Sequence, residues 1–335
     1  MRVYEFTVRP VAPFQFTPHL DRFTLAGRPT PFIWLTRGKL LRLAVKAGDG
    51  FVAADAVFRG EPWSPAVQLR VHADDAGRAR EARDVFAEMV RASFDYKEFM
   101  DAVRGMDERL HGLVSRYPGL RPGRCMSLYA ALIDSVVKQR IALPVALRLY
   151  SRLVEKYGAR VRVGDTTYYW HPLPDRLVEA RVEELRGLGL TRVKARAVRE
   201  IALAEAEKRL PSIDEAAESP EQVVRELTRL YGVGPWTAQL AVAMVSRGFP
   251  LGPTRDLAVA RGLATVLNLG KEEAKTLARR LLEHLPGLGG LVLYLAAYEY
   301  EESKRRRRRR IQDPSPDPAS PETGYTASSR KAHSP

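Results

Sequence analysis

The stretch LYGVGPWTAQLA, residues 230–241, constrains the fold more than any other twelve residues of the chain. Two glycines and a proline make a rigid corner, and apolar residues at helical spacing follow at Leu240, Ala241, Met244 and Val245. Upstream, PEQVVRELTRL has the spacing of an amphipathic helix. Tyr231 to Gly234 then form a tight loop of the kind glycine makes at little cost. Pro235 falls where the first turn of a helix tolerates a missing N–H. The predicted unit is helix, hairpin, helix. Its loop, Gly232, Val233 and Gly234, presents unpaired backbone N–H groups at a helix N-terminus. Such a loop suits one phosphate of a nucleic-acid backbone, gripped without reading sequence. The same residues also suit an ordinary helical hairpin with a glycine cap.

At 335 residues and 45% hydrophobic, the chain is long enough for two domains with a sizeable core. FTVRPVAPFQF, KLLRLAVKAGDGFVAADAVFRG and PAVQLRVHA are short alternating or β-branched runs broken by Gly, Pro and Asp, which read as strands. DDAGRAREARDVFAEMVRASF then places Ala82, Val85, Phe86, Met89 and Val90 on one helical face. Residues 1–91 are therefore expected to form a small α+β domain. From 92 to 303 nearly every segment has helical spacing between breakers such as RYPGLRPG, HPLPD, GLGL, GFPLGPTRD and LPGLGG. This predicts a mainly α protein, with an all-α domain of about ten helices over 92–303. Residues 304–335 open with KRRRRRR and continue rich in Pro and Ser, with little to bury, and a basic, disordered tail is expected there.

Composition narrows the chemistry. The net charge is +14; the run at 304–310 supplies seven positive charges, the rest of the tail returns one, and the body keeps +8. Such a surplus is compatible with nucleic-acid binding and with an Arg-rich surface alike. Cys125 is the only cysteine, which excludes a disulfide framework, a Cys-rich zinc site and a protein-held iron–sulfur cluster. It reads as a small core residue. Asn268 is the only asparagine and Arg and Glu are abundant, a balance expected of a thermophilic, prokaryotic and archaeal source. No apolar run approaches the roughly 18 to 20 residues needed to cross a bilayer, and MRVYEFTVRP lacks the apolar core of a signal peptide. A cytoplasmic, nucleoid-associated protein is the expectation.

After the second helix of the hairpin unit comes GFPLGPTRDLAVARGL, in which Asp256 lies 20 residues beyond Trp236 and precedes another apolar helix. With this segment the chain resembles the helix–hairpin–helix (HhH-GPD) superfamily of DNA glycosylases, whose motif ends in a Gly/Pro-rich loop and an aspartate. The likeness extends back through SLYAALIDSVVKQRIALPVALRLYSRLVEKYG, similar to the family's helix and Gln-containing turn, and through HPLPDRLVEARVEELRGLGLTRVKARAVREIA. It covers roughly residues 92–303. Within the superfamily, PGLRPGRCMSLYAALI and GVGPWTAQL resemble the alkylated-base branch, typified by 3-methyladenine DNA glycosylase II.

The resemblance implies a monofunctional glycosylase of base excision repair that flips out a damaged, alkylated purine and excises it. The chemistry needs a carboxylate near C1′, because breaking the N-glycosidic bond leaves cationic character on the sugar. Asp256 is the expected catalytic residue, although Asp before a helix is also a common cap. Bifunctional relatives carry a lysine at the start of the second helix, where this chain has Trp236. Trp236 and Leu240 are expected to face the flipped base, whose positive charge gains from an aromatic face. Gln139 and Arg140 occupy the positions of the gap-filling wedge. The branch has aromatic and Arg residues after a downstream proline, whereas this chain reads Gly287, Leu288, Gly289, Gly290, which puts one pocket wall in doubt.

The expected partner is double-stranded DNA containing a damaged base, met by a monomer, with no membrane. No cofactor or metal is required, although the resemblance implies a monovalent cation at the hairpin carbonyls. Two alternatives stay open: an oxidised-guanine glycosylase/lyase using a lysine such as Lys138 or Lys194, and a non-catalytic helix–hairpin–helix DNA-binding protein in which Asp256 only caps a helix.

Overall fold

The computed structural model describes residues 1–312. The N-terminal part runs β1 (Arg2–Val8), α1 (Thr17–Phe23), β2 (Ile33–Leu35), β3 (Leu40–Ala47), β4 (Gly50–Arg59), β5 (Ala66–Ala73) and α2 (Ala76–Met89). Its five strands form one antiparallel sheet in the order β1-β5-β4-β3-β2. Strand alternation assigns the two faces. Leu41, Leu43, Val45, Val52, Ala54 and Phe58 pack towards Ala79, Ala82, Phe86 and Met89 of α2. Ala44 and Ala53 face the other way.

The remaining helices are α3 (Tyr96–Arg104), α4 (Glu108–Arg116), α5 (Leu128–Lys138) and α6 (Leu143–Tyr157). After a hairpin of β6 (Gly158–Val163) and β7 (Thr166–Pro172) come α7 (Pro174–Glu179), α8 (Val182–Gly187), α9 (Arg192–Ala206), α10 (Ile213–Glu218), α11 (Pro220–Leu227) and α12 (Pro235–Val245). The last are α13 (Leu257–Leu267), α14 (Lys271–His284) and α15 (Gly289–Gln312). They divide into two apolar cores. One gathers α5, α6, α9 and α12 through residues such as Ile133, Val137, Leu153, Ile201, Ala238 and Val242. The other gathers α3, α4, α13, α14 and α15 through Phe99, Leu113, Leu263, Leu281 and Leu295. Helix α5 is buried almost throughout, from Leu128 to Val137, so its C-terminal turn is positioned by packing on all sides.

Two expectations are corrected. The segment 92–303 is not all-α: β6 and β7 form an antiparallel hairpin whose Ala159, Val161, Tyr168 and Trp170 cover the outer face of the N-terminal sheet. Only small side chains at Ala44 and Ala53 let that hairpin approach, and Tyr168 Oη donates to Asp55 at 3.0 Å across the join. The boundary at 304 is also displaced. Helix α15 carries the run 304–310 within it and ends at Gln312, because the basic residues lie at a helix C-terminus, where cations are favoured. Arg306 donates to Glu299, a buried residue that Arg116 also reaches at 3.0 Å. The expected disorder of the Pro/Ser-rich stretch from 313 lies outside the described residues.

Candidate active site and nucleic-acid interface

Three turns converge on the start of α12. The first is the loop between α11 and α12. Gly232 sits at φ +76°, and a Cβ there would lie 2.6 Å from the Ala197 Cβ on α9, so both backbone conformation and close approach require glycine. Val233 is buried and anchors the loop in the helical core. Gly234 caps α12, its carbonyl accepting from Ala238 N–H at 3.0 Å. Among the described residues the N–H groups of Gly232 and Gly234 have no backbone partner. They are donors left over at a helix N-terminus, the arrangement that binds an anion.

The second turn follows α5. Gln139 donates through Nε2 to the Gly232 carbonyl and to Thr237 Oγ1, both at 2.8 Å. Its amide is thereby committed to bracing the hairpin, and of the two residues expected as a wedge only Arg140 keeps an uncommitted side chain. Arg140 is exposed and held at φ +52°, a left-handed conformation unusual for a side chain of that size. Such strain persists only where the surroundings impose it. Here they include Lys194, whose Nζ donates to the carbonyls of Val137 and Gln139 at 2.8 Å each.

The third turn brings in Asp256 at the N-cap of α13. Its Oδ1 accepts from the N–H groups of Ala258 at 2.8 Å and Val259 at 3.3 Å, and its Oδ2 accepts from Trp236 Nε1 at 2.9 Å. The cap and the contact with Trp236 use different oxygens, so the two readings of this aspartate coexist. Asp256, Trp236 and Leu240 are all half-buried. The geometry thus joins residues 20 apart in sequence: the indole expected as a pocket wall also orients the carboxylate.

The glycines after Pro286 serve packing. A Cβ at Gly290 would lie 2.1 Å from the Leu251 carbonyl oxygen, and one at Gly289 2.4 Å from that of Leu281. Gly290 N–H donates to Phe249 O at 2.8 Å and Phe249 N–H to Gly287 O at 2.7 Å. These contacts fix the loop that leads to Asp256, and the close approaches require glycine at 289 and 290.

The two candidate Schiff-base lysines are committed elsewhere. Lys138 pairs with the buried Asp134, and Lys194 is buried against the end of α5, burial pulling its pKa below the usual lysine value. Of the tyrosines on α15, Tyr294 Oη meets His19 Nδ1 at 3.0 Å beside Phe23, Tyr298 stacks edge-on with Tyr117, and Tyr300 bonds Arg261. Burial lowers the His19 pKa to about 3, with the nearby charge of Lys138 adding to the effect, so the ring is neutral. Cys125 is buried and its thiol is pushed up to about 12, also by burial, as befits a core residue. Among the described residues no group of three or more His, Cys, Asp or Glu side chains could hold a metal ion.

A mainly helical body, a glycine hairpin with free amides and an aspartate one helix later define a class, and residues 133–286 match the model of the HhH-GPD superfamily of base excision DNA repair proteins. The matched region contains the hairpin, Trp236 and Asp256, so the likeness to that superfamily rests on the part of the chain that builds the site. The chain is 29% identical over 163 residues to DNA-3-methyladenine glycosylase 2 of Escherichia coli, a match covering 49% of this chain and 55% of that one. It is 25% identical over 175 residues to DNA-3-methyladenine glycosylase 1 of Schizosaccharomyces pombe, covering 51% and 73%. The matched region thus spans little more than half the length of the Escherichia coli relative. The solved 3-methyladenine DNA-glycosylase from Archaeoglobus fulgidus superposes with a TM-score of 0.74 at 25% identity, over 88% of this chain and 98% of that one. That match takes in the N-terminal sheet as well as the helices. An 8-oxoguanine glycosylase/lyase of Clostridium acetobutylicum, at 18% identity and a TM-score of 0.68, shares the fold.

The structure brings Asp256, the hairpin and the Arg140 turn, all singled out from the sequence, to the start of α12. Sequence reasoning missed the Trp236–Asp256 bond, the Gln139 brace and the fixing of the α5 turn by Lys194. The spacing of Trp236 and Asp256 carried no sign that the two touch. Gln139 could have been suspected, since a glutamine beside a turn is as able to satisfy backbone groups as to enter DNA.

Proposed function

We propose that this chain is a monofunctional DNA N-glycosylase of base excision repair that removes a damaged base, foremost an alkylated purine, and leaves an abasic site. The observation that carries the reading is the Asp256 carboxylate held by Trp236 Nε1 and two backbone amides next to a phosphate-binding hairpin. The free amides of Gly232 and Gly234 grip the backbone of double-stranded DNA without reading sequence, and no membrane is involved. The nucleotide swings out of the stack and Arg140 occupies the space it leaves, its planar guanidinium stacking between the neighbouring bases. Trp236 and Leu240 border the extruded base. As the N-glycosidic bond breaks, both of its electrons leave with the base and the sugar becomes cationic. The Asp256 carboxylate stabilises that cation, orients the water that adds to C1′ and takes up the proton the water loses. No cofactor is required. A monovalent cation at the hairpin would bind the loop carbonyls, of which those of Leu230 and Gly232 each keep a lone pair beyond the hydrogen bond they accept. A single chain contains every group this scheme uses, and the protein acts as a monomer.

The position that a Schiff-base lysine would need holds Trp236, and Lys138 and Lys194 are both engaged. The test is a panel of duplexes, each with one lesion: alkylated purines, hypoxanthine, uracil and oxidised guanine. Release of free base with an intact strand, and no adduct on borohydride treatment, is expected. DNA binding without base release from any substrate would make the protein a non-catalytic binder, and a borohydride-trapped adduct would make it a lyase.

A further inference from the structure

Beside the hairpin a groove of about 430 Å³ is lined by Arg181, Arg192, Arg196, Arg199 and Tyr231, with Glu183 its only acidic residue. Arg192, Arg196 and Arg199 fall at i, i+4 and i+7, which places them on one face of α9. That face reverses the usual charge preference of a helix start. The first turn of α9 holds no acidic residue and carries Arg192 and Lys194, where the helix dipole favours anions and penalises cations. Lys194 is accounted for by the α5 carbonyls, but Arg192 is exposed and joins no ion pair among the described residues. Arg199 Nε is buried without a hydrogen-bond partner. The Arg196 guanidinium lies 4.1 Å from the Tyr231 ring centroid and its Nε pairs with Glu200 at 3.7 Å, so the side chain is held in the groove wall with its terminal N–H groups still to spare.

We propose that this groove binds a second backbone phosphate of the DNA, adjacent to the one gripped by Gly232 and Gly234. The inference rests on the reading of the hairpin as a DNA contact. The groove and the hairpin share Tyr231, and α9 touches the hairpin at Ala197, so one strand can lie across both. An ionised guanidinium at a helix N-terminus loses its electrostatic penalty once a phosphate lies between it and the dipole. A bound phosphate therefore accounts for the cation-rich turn.

The experiment measures the affinity of the full chain for an undamaged duplex by fluorescence anisotropy across a series of salt concentrations. In the Arg192→Ala, Arg196→Ala double variant the slope of log K against log salt is expected to fall by about 0.9, the share of one neutralised phosphate. Arg192→Lys, Arg196→Lys should restore the slope, and Arg70→Ala, which removes one charge from the N-terminal sheet, should leave it unchanged. A normal melting temperature shows that the variants are folded. A double variant with the parental slope would overturn the groove while leaving the glycosylase reading intact. A parent that binds DNA with the expected slope yet releases no base would overturn the enzyme reading and leave the groove standing.

Discussion

The Asp256 corner and the Arg140 turn flank the same helix start, and they are built in opposite ways. At Asp256 three donors converge on one carboxylate, so the charge is aimed before any substrate arrives. At Arg140 the bonds of Lys194 to the carbonyls of Val137 and Gln139 hold the backbone of the turn, while the side chain itself stands exposed. The difference matches the two tasks proposed for them. A group that stabilises charge developing in a transition state works best when it need not reorganise, because reorganisation would consume the stabilisation. A group that fills a gap opened by its partner must be free until the gap exists.

The largest expected effect lies at the fixed corner. Asp256→Asn keeps the size and most of the capping ability of the residue while removing its charge. Single-turnover base release should fall roughly 100- to 1000-fold, as for loss of one preorganised electrostatic group worth about 2.7 to 4 kcal/mol. The melting temperature should hardly move, and affinity for the lesion duplex should stay the same or rise. A variant that melts normally and excises at the parental rate would reduce Asp256 to a cap.

Trp236→Phe sharpens the same side of the comparison, since it keeps an aromatic face and deletes only the Nε1 donor. A hydrogen bond to a charged group is worth about 1.5 to 3 kcal/mol. Release should therefore slow by about 10- to 100-fold if the bond aims the carboxylate during the reaction. Equal excision by parent and variant would mean that Trp236 acts only as a wall.

The course of this chain from sequence to site shows where residue patterns suffice. The hairpin unit was legible because Gly-Val-Gly-Pro leaves one inexpensive backbone path, and Asp256 because a Gly/Pro-rich loop ends at it. The β6–β7 hairpin was not read, although RVRVGDTTYYW alternates around a Gly-Asp turn, because helical segments on both sides dominate the window. The helical run at 304–310 is obscured by composition: like charges four apart oppose a helix, and of the anchors that hold Arg306, Glu299 lies two turns back on the same helix while Tyr117 comes from distant sequence. The groove on α9 lay in plain view as arginines at helical spacing, but its meaning needed Tyr231 beside it, 35 residues from Arg196.

Arg140→Ala probes the exposed side. If the guanidinium fills the vacated stack, excision from a fully paired duplex should slow more than excision from a mismatched one, by about tenfold, because unstacking costs a few kcal/mol and a mismatch has already supplied part of it. Equal slowing on both substrates would identify Arg140 as a phosphate contact instead.

The smallest effect separates the side chain of Arg140 from its backbone. At φ +52° a residue with a Cβ bears a penalty of roughly 1 to 2 kcal/mol that glycine escapes, offset in part by the greater freedom of glycine in the unfolded chain. Arg140→Gly should therefore raise the unfolding free energy by at most about 1 kcal/mol over Arg140→Ala, with a corresponding small rise in melting temperature. Its excision defect on paired DNA should match that of Arg140→Ala, because both variants lack the guanidinium. A gain in stability with the defect unchanged would show that the strain at this turn is borne to present the side chain. If Arg140→Gly instead melted lower than Arg140→Ala, the left-handed turn would not be strained at all. Its conformation would then follow from the bonds that Lys194 and Gln139 make around it, with Arg140 a passenger on a turn shaped for the hairpin.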